Sequence, residues 1–209
     1  MSRKIVATLS AISVATIASV GIGAGATQQT KPAAAPAATA GPTTYQIDDV
    51  HSSALFRVHH LGAGQFWGRF NKVAGSMAFA VNGEPTAFDV SIDTESVDTA
   101  EPKLDAHLKS PDFFNSKEFP AMTFKSESVS RKSDGTLEVT GALSMHGVTK
   151  NITAALEVTG VAEMGMGARA GVEAVFSVKR SDFGMKYGVE KGTLGDQVRV
   201  VVSLEGVRK

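Results

Sequence analysis

Five histidines, His51, His59, His60, His107 and His146, are the side chains best suited to chemistry near neutral pH. An imidazole can relay a proton or ligate a metal. A metal site needs several ligands converging on one ion. His59 and His60 are adjacent in a strand-like run, so they point to opposite faces and cannot chelate together. The chain has no His-x-His or Glu-x-x-His pair, and the pattern predicts no metal site. Nucleophilic chemistry lacks its parts too: there is no Cys and no Gly-x-Ser-x-Gly. Gly62-Ala63-Gly64 lacks the third glycine and the βαβ setting of a dinucleotide loop. Acid–base chemistry by Asp, Glu or His remains chemically available, but nothing selects a pair. We therefore read no catalytic residue, no enzyme and no required cofactor.

Two polar residues stand out by the company they keep. His60 follows Ala54, Phe56 and Val58 on one face of a strand-like run. Arg180 follows Ala174, Phe176 and Val178 in the same way. An inward imidazole needs a partner, and Asp48, Ser52 or the polar head of a ligand could supply one. An inward guanidinium must be paired or must contact a ligand. Asp182 is its nearest acid in sequence.

The elements that position these residues are strands. All 11 Phe lie between Phe56 and Phe183, mostly in period-2 runs with one apolar face. The apolar series are Phe56/Val58, Met77/Phe79/Val81, Phe88/Val90/Ile92, Met122/Phe124, Leu137/Val139/Leu143/Met145, Ile152/Leu156/Val158, Val172/Phe176/Val178 and Val198/Val200/Val202/Leu204. Asn82-Gly83 and Asp134-Gly135 are hairpin signals, and Gly147 separates a later pair. Eight or more short strands with close turns predict an all-β antiparallel meander, a barrel or sandwich. Only Glu101 to Ser110 reads as a helix, with Pro102 near its start, Leu104 and Leu108 four apart, and Pro111 as a stop. Gly75, Gly141, Ala154 and Ala174 share faces with Met and Phe. They either line an adaptable cavity or mark bulges and bends in an ordinary core.

The first 42 residues read differently. Arg3 and Lys4 precede an uncharged stretch, Ile5 to Ala26, that ends in Ala24-Gly25-Ala26. That is the pattern of a secretory signal peptide, residues 1–26, cleaved near Ala26. The weakly apolar second half argues against a retained membrane anchor. No Arg-Arg pair marks the twin-arginine route. Residues 27–42 form a Pro/Ala-rich linker, leaving one domain at 43–209. The mature protein is expected in the periplasm or outside the cell. The whole chain carries 21 basic and 21 acidic residues, and loss of the leader removes two of the basic ones. The slightly acidic remainder has no basic excess for nucleic acid.

These segments resemble, in order, the YceI-like family of bacterial polyisoprenoid-binding proteins. The matching pieces are Tyr45-Gln46-Ile47-Asp48, His51-Ser52, Phe56-x-Val58, His60-Leu61, Gly68-Arg69-Phe70 and Ser96-Val97-Asp98-Thr99. They continue with Asp105-x-His107-Leu108-x-Ser110, Asp112-Phe113-Phe114, Phe119-Pro120, Gly141-x-Leu143, His146-Gly147-Val148-Thr149-Lys150 and Arg180-Ser181-Asp182-Phe183-Gly184. Tyr45 stands where members often carry Trp, and Asn151 where Pro often follows the Thr-Lys pair.

The resemblance implies an extended eight-stranded antiparallel, lipocalin-like β-barrel with one short helix in a connecting segment. It also implies a bound polyisoprenoid lipid, a quinone tail or polyprenyl chain, held for transport, storage or stress protection. On that reading Phe56, Val58, Met77, Phe79, Phe88, Val90, Ile92, Phe113, Phe114, Met122, Phe124, Leu143, Met145, Phe176 and Phe183 line the apolar bore. His51, His60 and Arg180 stand at its polar end. Contact with a membrane for lipid exchange and pairing of edge strands into a homodimer are further expectations. The alternatives are an enzyme or redox-active protein acting on a bound isoprenoid or quinone, and a secreted interaction module whose cavity is incidental.

Overall fold

The computed structural model describes residues 41–208. The expected signal peptide, residues 1–26, and residues 27–40 of the expected linker lie outside the described residues. The described residues form eleven strand segments: β1 (Thr43–Ile47), β2 (Ser53–His60), β3 (Gly64–Phe70), β4 (Val73–Phe79), β5 (Pro85–Asp93), β6 (Val97–Asp98), β7 (Ala121–Arg131), β8 (Leu137–Met145), β9 (Val148–Met164), β10 (Gly167–Lys179) and β11 (Leu194–Arg208). The helix α1 spans Pro102–Leu108. It starts where the sequence places Pro at the first turn, and the Glu101 side chain accepts from the Lys103 N–H.

The segments combine into eight walls. β1 and β2 pair antiparallel with successive stretches of β11, Tyr45 opposite Arg208 and Ala54 opposite Val202. They are one wall broken at residues 48–52. β4 pairs with β1 and β3 with β2, so these two form the next wall. β5 and β6, separated by a single 3-10 turn at Thr94–Ser96, form the third, against β4 and β3. β7, β8, β9, β10 and β11 follow in order, and the β1–β11 pairing closes the ring. The result is an eight-stranded antiparallel barrel, which leaves no open edge along its closed part.

The hairpin signals take their expected places. Asn82-Gly83 joins β4 to β5 and Asp134-Gly135 joins β7 to β8. His146 and Gly147, joining β8 to β9, both have positive φ, 52° and 76°, as a two-residue type I′ turn requires.

One end of the barrel is solid. Tyr45, Val73, Met77, Phe79, Phe88, Val90, Val139 and Leu204 are all buried there, and the rings of Tyr45 and Phe79 meet edge-on at 5.5 Å. The two glycines among the small inward residues, Gly75 and Gly141, serve backbone approach. A Cβ at Gly75 (φ 125°) would overlap the Asp89 carbonyl oxygen across the β4–β5 pair, and one at Gly141 would overlap that of Lys125. None of Gly75, Gly141, Ala154 and Ala174 lines the cavity.

At the other end the wall is incomplete. Residues 64–68 of β3 have no strand on their far side among the described residues. The segment from α1 to Pro120 stands there instead. It turns tightly after the helix, Phe114 N–H donating to the Leu108 carbonyl at 3.0 Å. Asp105 fixes its start by accepting from the Thr99 N–H and hydroxyl at 2.8 and 2.6 Å. Phe114 then packs edge-on against Phe70, centroids 5.0 Å apart.

Candidate functional site

That end of the barrel is hollow. A cavity of about 710 Å³ runs inward from it, within the range of roughly 300–1,000 Å³ typical of ligand sites. Strand alternation supplies one set of walls. β2 contributes Ala54, Phe56 and Val58, β10 contributes Phe176 and Val178, and β11 contributes Val198, Val200 and Val202. Ile92, Met122, Leu143 and Met145 come from β5, β7 and β8. Phe66 and Phe70 of β3 and Leu104, Leu108, Phe113 and Phe114 of the helical segment complete the lining.

The mouth lies between the turn after β2 and the loop before β11. Leu61, Met185, Tyr187, Lys191 and Thr193 border it. The Leu61 N–H donates to the Thr193 carbonyl at 2.9 Å, tying turn to loop. Tyr187 packs edge-on against His107 at 5.0 Å and lies 5.2 Å from Phe113. His107 Nε2 stands 3.0 Å from Asp112 Oδ2. The described residues that line the cavity include no Asp or Glu; their ionisable groups are His60, His107, Tyr187, Arg180 and Lys191.

Arg180 is buried, and its guanidinium is almost fully occupied. Nε donates to the Gly195 carbonyl at 2.8 Å, Nη1 to Met185 at 3.1 Å, and Nη2 to Tyr187 and Leu194 at 2.7 and 3.0 Å. Four of its five N–H donors are spent on backbone carbonyls of the loop before β11 and of the first two residues of β11. Burial pushes the guanidinium below the ordinary arginine value, and the negative charge of Asp196 opposes that shift. Asp182, the expected partner, is exposed and makes no ion pair with it among the described residues. Asp196 instead accepts from the Ser181 N–H and hydroxyl at 2.9 and 2.8 Å.

The structure divides the residues selected from sequence. Phe56, Val58, Ile92, Phe113, Phe114, Met122, Leu143, Met145, Phe176, His60 and Arg180 line the cavity. Met77, Phe79, Phe88 and Val90 do not; they fill the solid end. Phe124 packs beside Gly141. Phe183, in a 3-10 turn at Arg180–Phe183, is buried, and its carbonyl oxygen is 3.0 Å from His146 Nδ1. His51 sits at the opposite end of β2 from His60, exposed, with Nδ1 2.9 Å from Asp48 Oδ2. Asp48 and Glu205 share Arg169, so this is an ion-pair cluster on the closed end and not the polar end of a bore. Asp48 and Ser52 are thereby taken, Ser52 by the Glu205 backbone at 3.0 Å, and neither partners His60.

Sequence reading missed Phe66 and Phe70, although Phe66/Gly68/Phe70 alternate. It also missed Tyr187, Lys191 and Thr193, which sit in a glycine-punctuated loop with no periodicity to read.

The architecture defines a class: a closed antiparallel barrel with one solid end and one apolar cavity. A model of the YceI-like domain matches residues 45–206, and the chain belongs to the YceI-like family. It is 36% identical over 177 residues to Protein YceI of Escherichia coli, covering 83% of this chain and 91% of that one. It is 37% identical over 169 residues to a UPF0312 protein of Pseudomonas aeruginosa, covering 79% and 87%. Among solved structures, the Campylobacter jejuni YCEI protein superposes with a TM-score of 0.65 at 31% identity, over 72% of this chain and 90% of that one. A polyisoprenoid binding domain from Saccharophagus degradans has the same fold, with a TM-score of 0.61 at 17% identity, over 80% and 99%.

Proposed function

We propose that this barrel binds one polyisoprenoid chain, the tail of a quinone or a polyprenyl lipid, with the tail in the bore and the head at the mouth. The observation that carries the reading is the cavity itself: deep, lined by aliphatic and aromatic side chains, and free of carboxylates. An isoprenoid tail has no hydrogen-bonding group and needs only apolar area and shape. Its burial is favourable by ~0.8 kcal/mol per methylene-sized group before ordering costs. Met122, Met145 and Met185 suit a branched, flexible chain. The Saccharophagus degradans domain of the same fold, described as polyisoprenoid binding, supports the reading.

His60, His107, Tyr187 and Lys191 surround the head in this scheme. They offer donors, which suits a head with oxygen acceptors, such as a quinone carbonyl. Arg180 holds the loop that forms the rim. Leu61 and Tyr187, both more than half-exposed or close to it at 63% and 50%, give the mouth an apolar edge with which to meet a membrane during exchange. The protein acts as a carrier, store or protective binder in the periplasm or outside the cell, after loss of residues 1–26. It needs no cofactor and performs no catalysis. Mass spectrometry of an organic extract of the native protein tests this. A prenyl lipid in the extract supports it; no such lipid, with no uptake of added quinone, overturns it.

A second reading, redox chemistry on a bound quinone, has one observation in its favour. The His107–Asp112 pair borders the cavity and could relay a proton to a quinone oxygen. If His107→Gln binds quinone normally but loses turnover that the wild type shows, this reading prevails.

A further inference from the structure

The outside of the barrel carries a charge arrangement that nothing within the described chain satisfies. Phe176, Val200, Phe56 and Phe66 face the cavity, so their neighbours along each strand face outward. Strand register then sets Ser177, Arg199, Arg57 and Trp67 in one row across β10, β11, β2 and β3. Lys179 is next on that face of β10, toward the mouth and opposite Gln197. Arg57 and Arg199 stand directly opposite each other, an arrangement that like charges disfavour. Among the described residues neither guanidinium donates a hydrogen bond or has an ion-pair partner, and Lys179 has no ion-pair partner.

Acids on the flanking segments are already engaged, Asp98 by Asn71 and Arg69 and Asp196 by Ser181. Glu157 and Glu173 face each other on β9 and β10, but Glu173 lies ~20 Å from Lys179 along the strand. This flank therefore has cations near the mouth and carboxylates toward the closed end. Trp67 is 44% exposed, and the Arg57 Cζ lies over it, 5.7 Å from the ring centroid. It sits on the stretch of β3 that has no strand on its far side among the described residues. An indole left this open suits a boundary that is apolar on one side and wet on the other, as at a membrane surface.

We propose that this flank docks the barrel on an anionic phospholipid bilayer, with Arg57, Arg199 and Lys179 against lipid phosphates and Trp67 at the interface. Two features select a bilayer over an acidic protein segment. Trp67 adds an interfacial anchor to the cations. β2 also runs on from Arg57 to the turn at Leu61, which is 63% exposed and ~13 Å away, so one flat surface meets flank and mouth together. Each cation near such a surface is worth about fivefold in affinity, and three give a weak, reversible contact suited to exchange. The purpose of the docking rests on the lipid-binding reading; the docking itself does not.

Fluorescence titration of the full exported protein with quinone-free vesicles tests this, because Trp67 is the chain's only tryptophan. Vesicles of phosphatidylcholine containing phosphatidylglycerol are expected to bind the protein and shift Trp67 emission to the blue. Phosphatidylcholine alone is expected to do neither, and added salt to reverse both. Arg57→Gln combined with Arg199→Gln should weaken binding by more than about tenfold. Lys125→Gln, exposed on β7 across the barrel, should leave it unchanged. A wild type that ignores the anionic vesicles overturns the proposal, including the case in which the flank takes a soluble anion or an acidic protein. Binding without a shift in Trp67 emission, or binding that the double substitution leaves intact, assigns the contact to another face and overturns it as well. Quinone uptake from loaded vesicles is scored separately: docking without uptake upholds the docking face and counts against the lipid-binding reading.

Discussion

Arg180 Nη2 donates to the carbonyl oxygen of Tyr187 at 2.7 Å. With the bonds to Met185, Leu194 and Gly195, it fastens both ends of the mouth loop to one buried cation. The planar fork of a guanidinium can serve four carbonyls at once, whereas an ammonium on a flexible stem cannot. Arg180→Lys is expected to keep the charge yet lose most of the clasp, and Arg180→Met to lose all of it. Chemical denaturation should show Arg180→Met destabilised by about 2–4 kcal/mol, with Arg180→Lys close behind. A lysine variant as stable as wild type would mean that charge, and not geometry, matters.

The division between solid end and hollow end gives a second prediction. Met77 is 1% exposed in the solid end, so Met77→Ala leaves a void and should cost roughly 2–5 kcal/mol. It should leave quinone uptake unchanged. Leu143 borders the cavity, and Leu143→Trp extends into empty space. It should keep most of its stability while lowering uptake by more than about tenfold, or about 1.4 kcal/mol. Thermal unfolding and a quinone titration on both variants check the contrast.

How far the sequence reveals this division is instructive. Met77/Phe79 and Leu143/Met145 show the same period-2 pattern, and both pairs are buried. Alternation identifies the inward face of a strand, and it identified the eight walls here, while Pro102, the Leu104/Leu108 spacing and Pro111 identified α1. It carries no information about which end of a barrel is filled. That depends on where β1, β4 and β5 converge, on Leu108 at the end of α1 and on Phe114 reaching in from the irregular segment after it. Arg180 makes the same point. Its inward facing was legible, but its partners are backbone carbonyls of residues 185–195, invisible to a search for a complementary side chain. His51 was misplaced because a family motif gives order along the chain and not the end of the strand.

Acid should release the closed-end cluster. The His51 hydrogen bond, with help from the Val50 N–H and Arg169, holds the Asp48 carboxyl below the ordinary aspartate value. A depressed carboxylate contributes stability that is complete above its unfolded pKa, about 4, and is lost as pH falls through its lower folded value. Asp48→Asn should therefore be less stable than wild type near neutrality, and the gap should narrow below about pH 4. Unfolding curves across that range check the sign. A gap that widens in acid would contradict it.

The central claim is that the bore is built for an apolar tail and that the tail, more than the head, carries the affinity. Native mass spectrometry of the mature protein after incubation with two quinones of identical head, one with a long prenyl tail and one without, tests it most directly. The account predicts retention of one long-tailed quinone per barrel and no retention of the tail-less one, with Leu143→Trp losing the bound mass. Equal retention of both quinones, or of neither, would contradict it.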